Sequence, residues 1–346
     1  MSLDRTRRSP LLLIACLAVV KLTGCSPQAP SAEPPGKAQS GCSLHHLACT
    51  GLYGPEGQGW ASRALAPEVR AYTPSAELWS DGLEKSRFIL LPPGTKVDTE
   101  DMDEWVFPVG TKLWKEFRWK GRRIETRFLW KRAEHRWLRT TYRWSEDGSE
   151  AVELTQGETE VAGTTHYEIP SQTQCGLCHG GKKDGVLGFE AMALSGEAAE
   201  GLTLQQLVRE GLLTSPPKPV PTIPGAVPDQ AALAYLHMNC GVSCHNGNPS
   251  ALARHSGLQL RLEWRELTTS ASTDAFRTAV GIRAVSPLSE PGVESLRVVP
   301  GNAKASLMLS RMSTREGTAQ MPPLGTHTVD EHGVALIQGW IERMAR

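Results

Sequence analysis

From Trp105 to Leu154 the side chains alternate in character along the chain. Leu113, Lys115, Phe117 and Trp119 share one parity, Trp114, Glu116 and Arg118 the other, and Lys120-Gly121 then supplies a turn signal. A period of two is the repeat of an extended strand, whose successive side chains point to opposite faces, so the stretch predicts β structure. Ile124 to Trp130, Trp137 to Trp144 and Ala151 to Leu154 continue the series, separated by Ala133-Glu134-His135 and by Ser145-Glu146-Asp147-Gly148. Such short connections predict an antiparallel meander. Trp105, Trp114, Trp119, Trp130, Trp137 and Trp144 all fall here. Cross-strand core packing is the expected use of their rings, with a sugar or cofactor platform as the alternative.

Helical signals begin only after residue 170. Thr203 is placed to cap Leu204 to Leu213, and Pro216, Pro217, Pro219, Pro221, Pro224 and Pro228 then form a stiff linker poor in amide donors. Asp229 is placed to cap a helix through Ala231, Leu233, Tyr235 and Leu236 to Cys240. Near the C-terminus Val334, Ile337, Trp340 and Ile341 recur at helical spacing, which predicts one apolar face. Leu258, Leu260 and Leu262 alternate and predict some strand within 250–300. With 346 residues there is material for two or three domains. The 37 Lys+Arg balance 37 Asp+Glu, which removes any electrostatic case for a nucleic-acid partner.

The N-terminus reads as an export signal. Arg5, Arg7 and Arg8 precede a continuously apolar run, Leu11 to Val20, and Leu22-Thr23-Gly24-Cys25 follows. The run is too short for a transmembrane anchor. The tetrapeptide resembles the lipobox of bacterial lipoproteins, which implies lipidation of Cys25 and membrane attachment without a span, and Ser26 resembles the outer-membrane sorting pattern. In an oxidising compartment idle thiols are not expected. Apart from Cys16 and Cys25, the cysteines fall into close pairs: Cys42/Cys49, Cys175/Cys178 and Cys240/Cys244. Cys42 and Cys49 predict a disulfide, His45 and His46 between them leaving a Cys/His metal site as the alternative.

Cys175-Gly176-Leu177-Cys178-His179 is a C-x-x-C-H pentapeptide, which in an exported protein reads as a c-type haem attachment site. Two thiols on one turn would each form a thioether to a porphyrin vinyl group, and the adjoining His179 would supply the proximal nitrogen to iron. A redox dithiol is the rival, but it needs no histidine and favours a βαβ setting. Cys240-Gly241-Val242-Ser243-Cys244-His245 repeats the theme with one more residue between the thiols. It is a second haem site or, alternatively, a short disulfide beside a free His245; zinc held by Cys175, Cys178, Cys240 and Cys244 has the wrong spacing. Met321, in Gln320-Met321-Pro322-Pro323-Leu324-Gly325, is the candidate distal ligand of that second iron, with a core methionine as the bland reading. Met308 and Met312 sit at core spacing on a helix expected from Ala305. For the first iron the distal candidates are Met192, His237 and Met238.

The chain resembles a family of bacterial di-haem c-type cytochromes in which a Trp-rich β domain precedes the haem-binding part. The matching stretches include Thr50-Gly51-Leu52-Tyr53, Leu78-Trp79-Ser80-Asp81-Gly82, Leu91-Pro92-Pro93-Gly94-Thr95, Trp105-Val106-Phe107-Pro108-Val109-Gly110-Thr111, Ile169-Pro170-Ser171, Cys175 to His179, Tyr235-Leu236-His237 and Met321-Pro322-Pro323. At Cys240 to His245 the chain departs from that family's plain C-x-x-C-H. Ala231 to Arg346 also resembles a class I cytochrome c module: a helix entering the Cys-Cys-His turn, a methionine loop and a C-terminal helix carrying Trp340.

The resulting expectation is multidomain: a signal peptide over 1–24, a tether with the Cys42/Cys49 segment over 25–49, an antiparallel, sandwich-like β domain over 50–168, a first haem segment over 169–215, a proline-rich linker over 216–228, and a mostly α, cytochrome c-like domain over 229–346. The resemblance implies two haem c groups and outer-sphere electron transfer between redox partner proteins of the periplasm or cell envelope, at an outer membrane gripped through Cys25. The alternatives are a peroxidase-like oxidoreductase with one open haem, and a mono-haem protein whose Cys240 and Cys244 form a disulfide or copper-associated site.

Overall fold

The predicted alternation becomes strands because its two parities face different partners. In a computed structural model the described residues are 42–346, apart from 55–56, 165, 286–294, 316 and 345–346. The expected signal segment, Cys25 and most of the tether lie outside them. Six strands follow one another: β1 (Arg70–Thr73), β2 (Glu84–Leu90), β3 (Lys112–Trp119), β4 (Arg122–Ala133), β5 (Arg136–Trp144) and β6 (Ala151–Glu153). They pair antiparallel in chain order, and a two-residue strand β7 (Glu200–Gly201) adds to β1, giving one sheet in the order β6-β5-β4-β3-β2-β1-β7. Lys120 and Gly121, both at positive φ, make the β3–β4 hairpin.

Trp114, Phe128, Tyr142 and Trp144 lie on one face and are buried under the segment that begins at the Cys42–Cys49 disulfide, through Leu47, Leu52, Tyr53 and Val69. On that face Trp60 stacks on Trp144 at 5.2 Å between centroids. The tryptophans thus serve as core: Trp105, Trp114 and Trp144 are fully buried. The other face holds two apolar clusters, one around Ile89, Leu113, Trp105 and Phe189, the other around Phe117, Ile124 and Tyr167.

After the sheet the chain is largely helical: α1 (Cys175–His179), α2 (Ala191–Ser195), α3 (Leu204–Arg209), α4 (Val227–Leu236), α5 (Asp274–Ala279), α6 (Leu307–Met312) and α7 (Glu331–Arg343). Thr203 caps α3 as expected, its hydroxyl accepting from Gln206 N–H, but α3 ends at Arg209. The cap of α4 differs from expectation. Ala226 is its N-cap with Pro228 in the first turn, where no amide donor is needed, and Asp229 instead pairs with Arg343 of α7. The chain then widens into a π turn over His237–Gly241 that delivers Cys240. Leu258 to Leu262 forms no strand: Leu260 and Leu262 are buried against α4, α5 and α7 without a pairing partner. Ile337, Trp340 and Ile341 make the buried face of α7. Gly333 of α7 abuts the Tyr235 ring of α4, where a Cβ would collide. Cys42 to Arg346 forms one compact unit. No helix among the described residues is long and apolar enough to cross a membrane.

Candidate functional site

Helix α1 is a single turn whose sequence is the C-x-x-C-H pentapeptide, introduced by a Ser171/Gln174 capping box. The turn places Cys175, Cys178 and His179 together on the face of the sheet that carries Lys115, Arg127 and Arg139. Burial raises the pKa of both thiols; Arg127 and Arg139 oppose it at Cys175, and Arg127 and Lys115 at Cys178. His179 Nδ1 lies 2.5 Å from the Gly185 carbonyl oxygen. That bond fixes the proton on Nδ1 and leaves Nε2 with a free lone pair, the state in which an imidazole binds a metal. Burial, with Arg139, Arg127 and Lys115 adding to it, pushes its pKa down to about 4. Beside the ring is a polar cavity of about 350 Å³ with Arg139, Lys183, Asn248 and Ser250 on its wall.

The second turn faces a different environment. Cys240 and His245 lie on the wall of an apolar cavity of about 410 Å³, together with Leu258, Leu260, Met308 and Met321. Met312 lines it as well, so the two methionines of α6 are at once core and cavity wall. Burial pushes Cys240 up to about 12 and His245 down to about 4. The Leu258 backbone favours a protonated His245, yet the buried Nδ1 has no hydrogen bond of ordinary geometry among the described residues. Met321 is held by its own backbone, its N–H donating to Arg311 O at 2.9 Å. Cys244 is not on this wall. It lies near Cys178, whose charge adds to burial in pushing Cys244 up to about 11. All four of these cysteines are free thiols. Among the described residues no three His, Cys, Asp or Glu side chains converge as a site for a bare ion.

Glycine brings the turns together: Gly181, just after α1, packs on the backbone of Ser243, and a Cβ there would collide with the Ser243 carbonyl oxygen.

The segment 77–81 clamps both sides of the apolar cavity. Asn239, immediately before Cys240, accepts from Trp79 N–H at 2.7 Å and donates to Glu77 O at 3.0 Å. Trp79 Nε1 donates to Thr328 O at 3.1 Å, and Asp81 Oδ1 accepts from His327 N–H at 2.8 Å, Thr328 N–H at 2.9 Å and the Thr328 hydroxyl at 3.0 Å. The methionine loop and the cysteine turn are therefore tied to the same stretch of chain, which leads into β2.

None of the distal candidates for the first turn lines the cavity beside His179. Met192 is buried in the α4–α7 core and Met238 in a small cluster with Ala193 and Val242. His237 has both ring nitrogens engaged: Nε2 is 2.6 Å from Glu190 Oε1, and Nδ1 accepts from Leu262 N–H at 2.9 Å. The second oxygen of Glu190 pairs with the buried Lys182. Glu190, Asp81 and the cations facing α1 were not singled out from sequence as functional. A lone carboxylate carries no spacing signal, but Lys115 and Arg127 did leave one, being charged on the strand parity that buries Leu113 and Phe117.

Compared with known proteins, the chain matches no family model, no curated protein and no solved structure.

Proposed function

We propose that the chain is a di-haem c-type cytochrome that relays electrons by outer-sphere transfer between redox partner proteins of the cell envelope, held at the outer membrane by lipid on Cys25. The observation that carries the reading is the apolar cavity of about 410 Å³ whose lining includes Cys240, His245 and Met321. Met321 lies far from the other two in sequence, and thiol, imidazole and thioether around an apolar slot are the donor set of a Met/His-ligated haem. At the first turn the support is His179, whose Nδ1 bond to Gly185 leaves Nε2 for iron. A haem so ligated supplies a one-electron couple whose potential the Met/His pair raises. The protein's own part is to hold the axial side chains and keep water out, which the clamp at 77–81 and the apolar lining serve. The crossing of α4 and α7 at Gly333 and Tyr235 supports a cytochrome c-like arrangement of 229–346.

A second reading is favoured by one observation. Met192, His237 and Met238 are engaged in cores or hydrogen bonds and none lines the cavity beside His179, so an iron bound there would keep an open position, as a peroxidase-like oxidoreductase requires.

The test is a covalent haem count on protein made in a host with working haem-ligation machinery. Two haems per chain are expected, one after replacement of Cys175 and Cys178 by Ala, and one after replacement of Cys240 and Cys244. Colourless protein of unmodified mass would sink the proposal. High-spin haem with turnover of peroxide would select the second reading.

A further inference from the structure

The sheet face turned toward α1 is apolar at both ends and cationic between them. On β3, Leu113 belongs to one apolar cluster and Phe117 to the other, and Lys115 stands between. Its register partners are Arg87 on β2 and Arg127 on β4, while Arg139 on β5 is opposite Leu129 on the same face. Lys115 Nζ and Arg127 Cζ both lie over the Phe117 ring, 4.8 and 4.5 Å from its centroid.

The charges do not balance. Glu77 serves both Lys85, at 3.1 Å, and Arg87, at 3.0 Å, and Glu125 takes Arg127 at 2.8 Å. Lys115 makes no ion pair or hydrogen bond among the described residues, and Arg139 Nε is buried without a partner. Five cations thus have two carboxylates in direct ion pairs, and the third nearby, Asp184, which acts on Arg139, is paired with Lys131 at 2.8 Å. Burial, together with Arg87, Arg127 and Lys85, pushes the Lys115 pKa well below the usual lysine value. Lys115, Arg127 and Arg139 are half-buried, and an anionic group placed among them offsets the cost of bringing their charges together.

We infer that Lys115, Arg127 and Arg139 form an anion site beside the first Cys-Cys-His turn, taking a carboxylate or a small oxyanion. The anion has two chemical sources: a propionate of a haem attached at Cys175 and Cys178, which rests on the function proposed above, or a free inorganic oxyanion, which does not.

The experiment compares wild type, Lys115→Met and Lys115→Arg, each purified from the haem-ligating host. Haem content, the midpoint potential of the first haem, and the melting temperature in sodium chloride and in sodium phosphate of equal ionic strength are measured. If a propionate is the anion, Lys115→Met lowers both potential and melting temperature equally in the two salts, and Lys115→Arg restores them. If a free oxyanion is bound, phosphate raises the wild-type melting temperature by about 2 °C or more, and Lys115→Met abolishes the rise. A chain without haem that still shows the phosphate effect keeps the anion site while the haem reading fails. A Lys115→Met protein that melts as high as wild type or higher in both salts, with any haem potential unchanged, overturns the inference, because an ammonium that serves no anion is only a burden to the fold.

Discussion

Gly181 rests on the backbone of Ser243, so that the two Cys-Cys-His turns meet without a side chain between them. Contact this close fixes the spacing of whatever the turns hold, and electron exchange between two bound redox groups depends steeply on that spacing. Gly181→Ala is expected to destabilise the protein by about 1–3 kcal/mol, the usual cost of overpacking a rigid contact. Urea denaturation measures it, and a variant as stable as wild type would show that the contact yields.

Met321 stands on the cavity wall with Cys240 and His245. In haem-loaded protein Met321→Ala is expected to remove the sulfur-to-iron absorption band and to lower one of the two midpoint potentials, since a thioether favours the reduced iron. Persistence of both would move the ligand to Met308 or Met312, which line the same space.

Asp81 should matter to Met321 although it lies far from it in sequence. Its Oδ1 accepts from His327 and Thr328 in the loop that follows Met321. Asp81→Ala leaves two backbone donors unserved and is expected to cost about 2–4 kcal/mol. The sulfur-to-iron band should weaken with Met321 still in place, which an unfolding effect elsewhere in the chain would not produce. A full-strength band would mean that the loop holds its shape without the clamp.

His237 gives the stability a defined pH dependence. Burial, with Arg261 and Lys182 adding to it and Asp103 opposing, pushes its pKa down to about 3. The Glu190 carboxylate at Nε2 would favour protonation, but Lys182 shares that carboxylate, and a proton on Nδ1 would face the Leu262 N–H. The folded ring therefore stays neutral where the unfolded one, near 6.5, takes a proton. The contribution is complete above pH 6.5 and is lost as pH falls toward 3, at about 1.4 kcal/mol per pH unit. His237→Gln keeps a donor and an acceptor but gains no proton, so its denaturation midpoints should lack that loss between pH 6.5 and 4. Parallel curves for the two proteins would contradict the assignment.

Much of the framework was legible in the sequence because it is written in local period. The strands between Lys112 and Glu153 follow an alternation that any burial of one face enforces, and Thr203 caps α3 through an interaction confined to four consecutive residues. The ends of elements were less legible. Asp229 carries the composition of a cap, yet Pro228 fits the first turn without an amide and Arg343 claims the carboxylate from a distant helix. Leu258 to Leu262 alternates like a strand but joins no sheet; its amides are taken instead by the Thr278 hydroxyl, His245 O and His237 Nδ1.

Residue type and spacing along the chain specify the chemical groups: two Cys-Cys-His turns, a methionine before paired prolines, and a β region whose rings make a core. These are local properties. Which groups share a space emerges from the packing of distant segments. That packing set Met321 beside Cys240 and His245, turned Cys244 toward Cys178, engaged both nitrogens of His237, and gathered Lys115, Arg127 and Arg139 from three strands. The physical reason is that convergence depends on register and on contacts between segments distant along the chain, and neither leaves a periodic trace in the residues that take part.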